Sequence, residues 1–131
     1  MSQVALTQSL PRRALAGFGR SRWTESCVTS VSSVQELSAL FQRCQAERTH
    51  LTFRGSGRSY GDPAVLADGL VVDMTQLSRV LQWDKATGII EVEPGVTIEG
   101  LWRHTLPDGY WPPVVPGTMR PTLGGCLAMN I

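Results

Sequence analysis

The segment from Arg54 to Asp62 carries the residue types with the clearest chemical potential in this chain of 131 residues. It reads Arg-Gly-Ser-Gly-Arg-Ser-Tyr-Gly-Asp and follows an apolar stretch, residues 51–53, that is typical of the end of a strand. Glycines let the backbone turn sharply, and successive N–H groups in such a turn form a concave anion site. The arginines add positive charge and the serines add hydroxyl donors. The segment is a candidate diphosphate-binding loop, with an ordinary surface turn as the alternative.

The spacing of the glycines excludes the two best-known phosphate loops. The segment lacks the Gly-Lys-Ser/Thr ending of a Walker loop. Gly55, Gly57 and Gly61 are two and then four positions apart, whereas the Rossmann fingerprint requires two and then three. Asp73 supplies a later acidic residue, but the loop before it has the wrong spacing for that fold.

A second candidate loop lies near the end of the chain, at residues 122–125, which read Thr-Leu-Gly-Gly. If this loop opens a helix, it offers free N–H groups and the positive end of the helix dipole to a phosphate or a polar ring edge. Taken alone, a plain strand-to-helix turn is the favoured interpretation.

Composition and charge exclude several classes of protein. A net charge of +1 gives no broad basic field for nucleic acid or an anionic membrane. No run of 18 apolar residues is present, so no transmembrane segment is predicted. Three widely spaced cysteines indicate neither a zinc site nor a disulfide framework, which favours a cytoplasmic location. His50 and His104 complete no nucleophile–base constellation, so neither catalytic nor metal-binding residues are assigned.

The first half of the chain has a βαβ-like pattern. Ser33 and Glu36 have capping-box spacing, and the apolar residues that follow predict a helix from Val34 to Glu47. An edge strand is expected over residues 28–34, a strand over 50–53, and a buried strand within 69–74.

The second half predicts different elements. Residues 80–83 and 89–93 form a β-hairpin around a glycine-containing turn, and Thr97 caps a helix that ends at Pro107-Asp108-Gly109. The first turns of a further helix are expected at residues 126–131. Residues 1–14 are expected to form a tail. The apolar ending indicates a chain truncated at its C-terminus, so the fold is expected to be incomplete.

Five segments together resemble one family. They are residues 54–62, 70–74, 93–96, 116–118 and 122–125. Their order and spacing are similar to the N-terminal half of the FAD-binding domain of the vanillyl-alcohol oxidase type, also called the PCMH type. The form of the first loop most resembles decaprenylphosphoryl-ribose oxidases and their bacterial relatives. Residues 17–20, Gly-Phe-Gly-Arg, also resemble the Gly-Trp-Gly-Arg stretch near the start of that subfamily. The resemblance implies an α+β fold over residues 15–131, with a small βαβ subdomain and the start of a second mixed sheet and helix subdomain.

The resemblance also implies a cofactor and a set of residues that bind it. The cofactor is FAD, held without a covalent bond because Arg58 stands where some members of the superfamily have a histidine. The implied FAD-binding residues are Phe53, Arg54, Gly55, Ser56, Gly57, Arg58, Ser59, Tyr60, Gly61, Gly117, Thr118, Thr122, Leu123, Gly124 and Gly125.

The implied function is that of an FAD-dependent oxidoreductase. Such an enzyme oxidises an alcohol carbon of a sugar, a sugar lactone or a polyprenylphosphoryl sugar by hydride transfer to flavin. A C-terminal domain missing from this chain would bind the small sugar or lipid-linked sugar, and a lipid-linked substrate would bring the enzyme to a membrane. The full-length parent is expected to be the enzyme, and the fragment alone is expected to be inactive. The alternative is a truncated, non-catalytic remnant that binds a nucleotide weakly or not at all.

Overall fold

A computed structural model describes residues 6–131 of the chain. It contains six strands and three α-helices within that range. The strands are β1 (Arg12–Ala16), β2 (Trp23–Ser30), β3 (Leu51–Arg54), β4 (Leu70–Asp73), β5 (Val80–Asp84) and β6 (Ile89–Val92). The helices are α1 (Val34–Ala46), α2 (Ile98–Thr105) and α3 (Leu123–Ala128). Short 3-10 turns lie at Leu6–Gln8 and Leu106–Asp108.

Four strands form the main sheet, in the order β1-β2-β4-β3. β1 is antiparallel to β2, whereas β4 is parallel to both of its neighbours. Helix α1 connects β2 to β3, and β4 then inserts between those two strands. The parallel arrangement places the carboxyl ends of β2, β3 and β4 at one edge of the sheet. This is the edge at which open α/β sheets bind their ligands.

The core lies around the central strand β4. Leu70, Val71 and Val72 have no exposed surface, as expected for a strand of a parallel sheet that is covered on both faces. Leu70 and Val72 pack in a cluster with Cys27, Cys44 and other buried residues. The three cysteines are free and buried. Burial of this apolar surface fixes the position of β4, and therefore of the strand ends on either side of it.

The hairpin of β5 and β6 packs against the end of α2 through polar and aromatic contacts. Trp83 Nε1 donates to Asp108 Oδ2 at 2.8 Å, and Lys85 Nζ lies 2.9 Å from Asp108 Oδ1. The hydroxyl of Tyr110 donates to the carbonyl oxygen of Lys85 at 2.8 Å. Thr97 caps α2 by accepting from the N–H of Gly100 at 3.0 Å. The predicted hairpin, and the predicted helix with its cap, are confirmed.

The predicted helix over Val34–Glu47 is also confirmed, since α1 covers all but its last residue. The hydroxyl of Ser33 accepts from the N–H of Glu36. The Glu36 carboxylate accepts instead from the N–H and hydroxyl of Ser32, at 2.7 and 3.0 Å. These hydrogen bonds lower the pKa of Glu36. The helix start therefore follows the sequence pattern, with the reciprocal bond shifted by one residue.

The N-terminal region differs from its prediction. The expected edge strand over residues 28–34 is wrong, because β2 begins at Trp23 and is paired on both sides. The expected tail does not hold for residues 6–14: Leu6 is buried in the core, and Arg12 begins β1. Burial of Leu6 and pairing with β2 stabilise a segment that has little strand pattern of its own. Residues 1–5 of the predicted tail lie outside the described residues.

A buried carboxylate directly after β6 binds the segment before β5. Glu93 is 5% exposed, and its carboxylate accepts from Arg79 Nη2 at 2.6 Å and from the backbone N–H of Arg79 at 2.8 Å. The side-chain hydrogen bond from Arg79 is the main reason that the pKa of Glu93 lies below its ordinary value of 4.5. Since folding lowers this pKa, Glu93 adds stability above about pH 4.5 that is lost as the pH falls through the lower folded value.

We therefore expect Glu93→Gln to lower the melting temperature at pH 7 by several degrees, because it removes the charge that Arg79 binds. The difference from the wild type should narrow as the pH falls below about 4.5, and it should vanish below the lower folded pKa of Glu93, where both proteins have a neutral side chain at this position. Thermal melts across pH 3–8 measure this. The control is Glu91→Gln, at an exposed position of β6 two residues earlier. A difference that stayed constant across this range would contradict the prediction.

None of the described helices is long and apolar enough to cross a membrane.

Candidate cofactor-binding site

The first candidate loop, residues 55–61, leaves the carboxyl end of β3. None of its seven backbone N–H groups donates a hydrogen bond within residues 6–131. Its carbonyls do take part in the fold, since Ser59 O accepts from the N–H of Phe18 at 2.8 Å. Native proteins rarely leave consecutive N–H groups unpaired unless water or a ligand binds them. The loop therefore presents the row of donors that an anionic ligand requires.

Gly57 gives this loop its shape. Its φ is +66°, in the left-handed region that disfavours residues with a Cβ. A Cβ at this position would also overlap the guanidinium of Arg54. A glycine is thus required here by backbone conformation and by close packing together.

The guanidinium of Arg54 packs against Gly57 and supports the first loop. Its Nη2 donates to Ala16 O at 2.9 Å, and its Nη1 donates to Ala64 O at 3.3 Å. Burial lowers the pKa of Arg54, and the nearby Asp73 carboxylate opposes that shift. The positive charge lies beneath the backbone of Gly57, where it adds to the potential that a diphosphate would meet.

Arg58, unlike Arg54, has a buried side-chain nitrogen that no described residue binds. Its Nε is buried and has no hydrogen-bond partner in the described part of the chain. Its Cζ lies 5.7 Å from the centroid of the Phe18 ring, within the range of a cation–π contact. A buried donor without a partner is costly to the fold, so this group is available to an anionic ligand. Of the two arginines in the segment, Arg58 is the one with a buried nitrogen that has no hydrogen-bond partner within residues 6–131.

The second candidate loop differs from its prediction. Leu123, Gly124 and Gly125 lie within α3, which begins three residues before the expected Cys126. Their N–H groups are not free. That of Leu123 donates to Val96 O at 2.8 Å, that of Gly124 to Pro94 O at 2.9 Å, and that of Gly125 to Thr122 Oγ1 at 3.3 Å. The expectation of free donors here is wrong, because the segment after β6 uses them to anchor α3.

The two loops contact each other directly. Ser56 Oγ donates to Arg120 O at 2.5 Å, across 64 positions of sequence. Gly55 faces Thr122 so closely that a Cβ on Gly55 would overlap Thr122 Oγ1. Thr122 is itself buried and caps α3. The first loop and the start of α3 therefore form one wall.

A cleft of about 550 Å³ lies along this wall. Most of the predicted site residues line it; the four that do not are Arg54, Gly61, Leu123 and Gly124. Its surface is mainly apolar, as expected for a site that binds an aromatic ring system. Gly117 and Thr118 are exposed on its wall. Cys126 also lines it, and burial raises the pKa of that thiol, so it stays neutral at physiological pH.

Several residues of the cleft were not predicted from the sequence. Phe18, Pro121, Cys126 and Met129 line it but belong to no phosphate-binding pattern. The signals there were the glycines on both sides of Phe18 and the family resemblance of residues 17–20, neither of which placed Phe18 in the cleft. Pro121, Cys126 and Met129 lie close in sequence to the predicted second loop, and this proximity was the weaker signal that they line the cleft.

Comparisons with known proteins identify the class. The family model described as "FAD binding domain" matches residues 26–131. Decaprenylphosphoryl-beta-D-ribose oxidase of Mycolicibacterium smegmatis is 38% identical over 120 residues, which cover 91% of this chain and 26% of that protein. L-gulono-1,4-lactone dehydrogenase of Mycobacterium tuberculosis is 34% identical over 76 residues, or 58% of this chain and 18% of that protein. The chain thus spans about a quarter or less of the length of these relatives.

Solved structures agree on the fold. Cholesterol oxidase from Brevibacterium sterolicum aligns with a TM-score of 0.80 at 15% identity, covering 93% of this chain and 24% of that one. An alkyldihydroxyacetonephosphate synthase aligns with a TM-score of 0.70 at 20% identity, covering 80% and 22%. The fold is that of the N-terminal part of a PCMH-type FAD-binding domain. The chain belongs to the FAD-binding domain family.

The residues present fit FAD. A diphosphate needs several aligned donors, and the first loop has a row of unpaired N–H groups with the buried Nε of Arg58 among them. A flavin ring needs an apolar wall, which the adjoining cleft provides. The prediction of FAD as cofactor is confirmed by the family match.

Proposed function

We propose that residues 55–61 bind the diphosphate of FAD and that the cleft wall formed with residues 117–125 receives its flavin side. The row of unpaired N–H groups in the first loop carries this proposal. Two phosphate charges must leave water without a single fixed counterion, and many aligned backbone dipoles replace their hydration. Arg58 adds one charged donor, while Arg54 supports the loop through its hydrogen bond to Ala16 O.

The finer proposal concerns the reaction. Bound FAD supplies a hydride acceptor. We propose that the donor is an alcohol carbon of a sugar, a sugar lactone or a polyprenylphosphoryl sugar. The names of two relatives support this class, one a decaprenylphosphoryl-ribose oxidase and the other a gulonolactone dehydrogenase. A third relative, at 24% identity, is a D-lactate dehydrogenase, so a 2-hydroxy acid is the competing substrate class.

The role of this chain's residues is to bind and orient the cofactor. Residues 15–131 are proposed as the part of the FAD-binding domain that does so. No catalytic group is assigned among them, and the substrate is proposed to bind to residues outside this chain. The family resemblance aligns Arg58 with the histidine through which some members of the superfamily attach flavin, and this supports our proposal of a non-covalent cofactor.

Reconstitution of the full chain, as encoded by its gene, tests the proposal. The protein is freed of cofactor, titrated with FAD, and followed by protein fluorescence and flavin absorbance. We expect one FAD per chain, released intact into the supernatant on acid precipitation. Anaerobic addition of sugar alcohols, aldonolactones and lipid-linked sugars should bleach the flavin absorbance with at least one member, and D-lactate should not. Colourless protein that FAD does not saturate would instead support the non-catalytic remnant.

A further inference from the structure

The N–H groups of the first loop cannot fix its shape, because none of them donates a hydrogen bond within residues 6–131. Its conformation must be fixed through its carbonyls and side chains. The turn between β1 and β2, residues 17–20, supplies such contacts although it lies about 40 positions earlier in the sequence. The N–H of Phe18 donates to Ser59 O at 2.8 Å. Immediately before the turn, Ala16 O accepts from Arg54 Nη2 at 2.9 Å.

Gly17 brings the two backbones together. A Cβ at Gly17 would overlap Gly61 O and would lie only 2.9 Å from Ser59 O. Gly17 is not among the residues with positive φ, so its backbone conformation suits any residue. Close approach to the first loop is therefore the physical reason for a glycine here.

The side chain of Phe18 lies between two residues of the first loop. Its ring meets that of Tyr60 edge-on, with centroids 5.8 Å apart, and the guanidinium of Arg58 lies over it at 5.7 Å. Tyr60 is 83% exposed, so this contact is a main restraint on its side chain. Phe18 thus restrains both the aromatic ring and the charged group that border the cleft.

We infer that the β1–β2 turn is a positioning element for the diphosphate-binding loop, with Gly17 and Phe18 as its positioning residues. The turn lies before residue 26, where the match to the family model begins. Pairing of β1 with β2 along five residue pairs makes it a rigid base. This inference rests on the proposed function, since it assumes that the first loop binds FAD.

The test compares two glycines of the same turn in the full chain. Gly17→Ala should raise the Kd for FAD by roughly 10- to 100-fold, because displacement of residues 59–61 misaligns donors to a charged group. Gly19→Ala is the matched control: its Cβ would meet only Tyr60 O, at an ordinary 3.5 Å, without positive φ. Equal Kd values for the two variants would overturn the inference.

Phe18 gives an independent measurement if Gly17→Ala fails to fold. Phe18→Ala should raise the Kd for FAD by about tenfold, and Phe18→Trp should restore it, while the melting temperatures of the FAD-free proteins stay close. A Phe18→Ala protein that binds FAD like the wild type would refute the positioning role. Failure of the proposed function would look different from failure of this inference, because the wild type itself would then not bind FAD.

Discussion

We expect the Gly57→Val variant of the full chain to bind FAD roughly 100-fold or more weakly than the wild type. Gly57 has a φ of +66°, which a β-branched residue adopts only under strain. Its new side chain would also displace the guanidinium of Arg54, which supports the loop. The N–H groups on both sides would then no longer converge on the diphosphate. Titration with FAD, followed by flavin fluorescence, measures the change.

Gly109→Val is the matched control. Gly109 also has positive φ, at 85°, but a Cβ there would meet nothing within 4 Å, and it lies at the end of α2 away from the cleft. Both variants should lose about 2 kcal/mol or more of stability through left-handed strain. Only the Gly57 variant should lose FAD. Unaltered FAD binding by Gly57→Val would show that the first loop is an ordinary turn.

We expect the two arginines of the first segment to have different roles, Arg54 a structural one and Arg58 a ligand-binding one. We expect Arg54→Ala to lower the stability of the FAD-free protein by about 1–3 kcal/mol, because it removes the bonds to Ala16 O and Ala64 O. Its affinity for FAD should fall as well, since the loop loses its support. Thermal or urea denaturation of the FAD-free protein measures the first effect.

Arg58→Ala should leave the FAD-free protein within about 1 kcal/mol of the wild type, because it removes a buried donor that has no partner and one contact with Phe18. Its Kd for FAD should rise about tenfold and depend less on salt concentration, as a charge that meets the diphosphate is gone. Arg58→Lys, which keeps the charge, should retain that salt dependence. Equal destabilisation of the FAD-free protein by both alanine variants would contradict this division of roles.

The sequence alone determined the features that depend on neighbouring residues. The cap and extent of α1, the β5–β6 hairpin and the cap of α2 follow from short patterns whose physical effect is local. The turn of the first loop is also local, since glycines directly after a strand let the backbone change direction sharply. The family resemblance added the cofactor, which the comparisons confirm.

Only the tertiary structure decided which of these groups are free to bind. Arg54 and Arg58 look equivalent in sequence, yet packing against β1 engages the first and leaves the Nε of the second without a partner. The donors expected at residues 123–125 are used up by carbonyls of residues 94 and 96 and by the Thr122 cap. The contact between Gly17 and the first loop depends on the position of β1 beside β2, which no local pattern encodes. Availability of a donor is a property of its neighbours in space, and the order of residues along the chain does not reveal those neighbours.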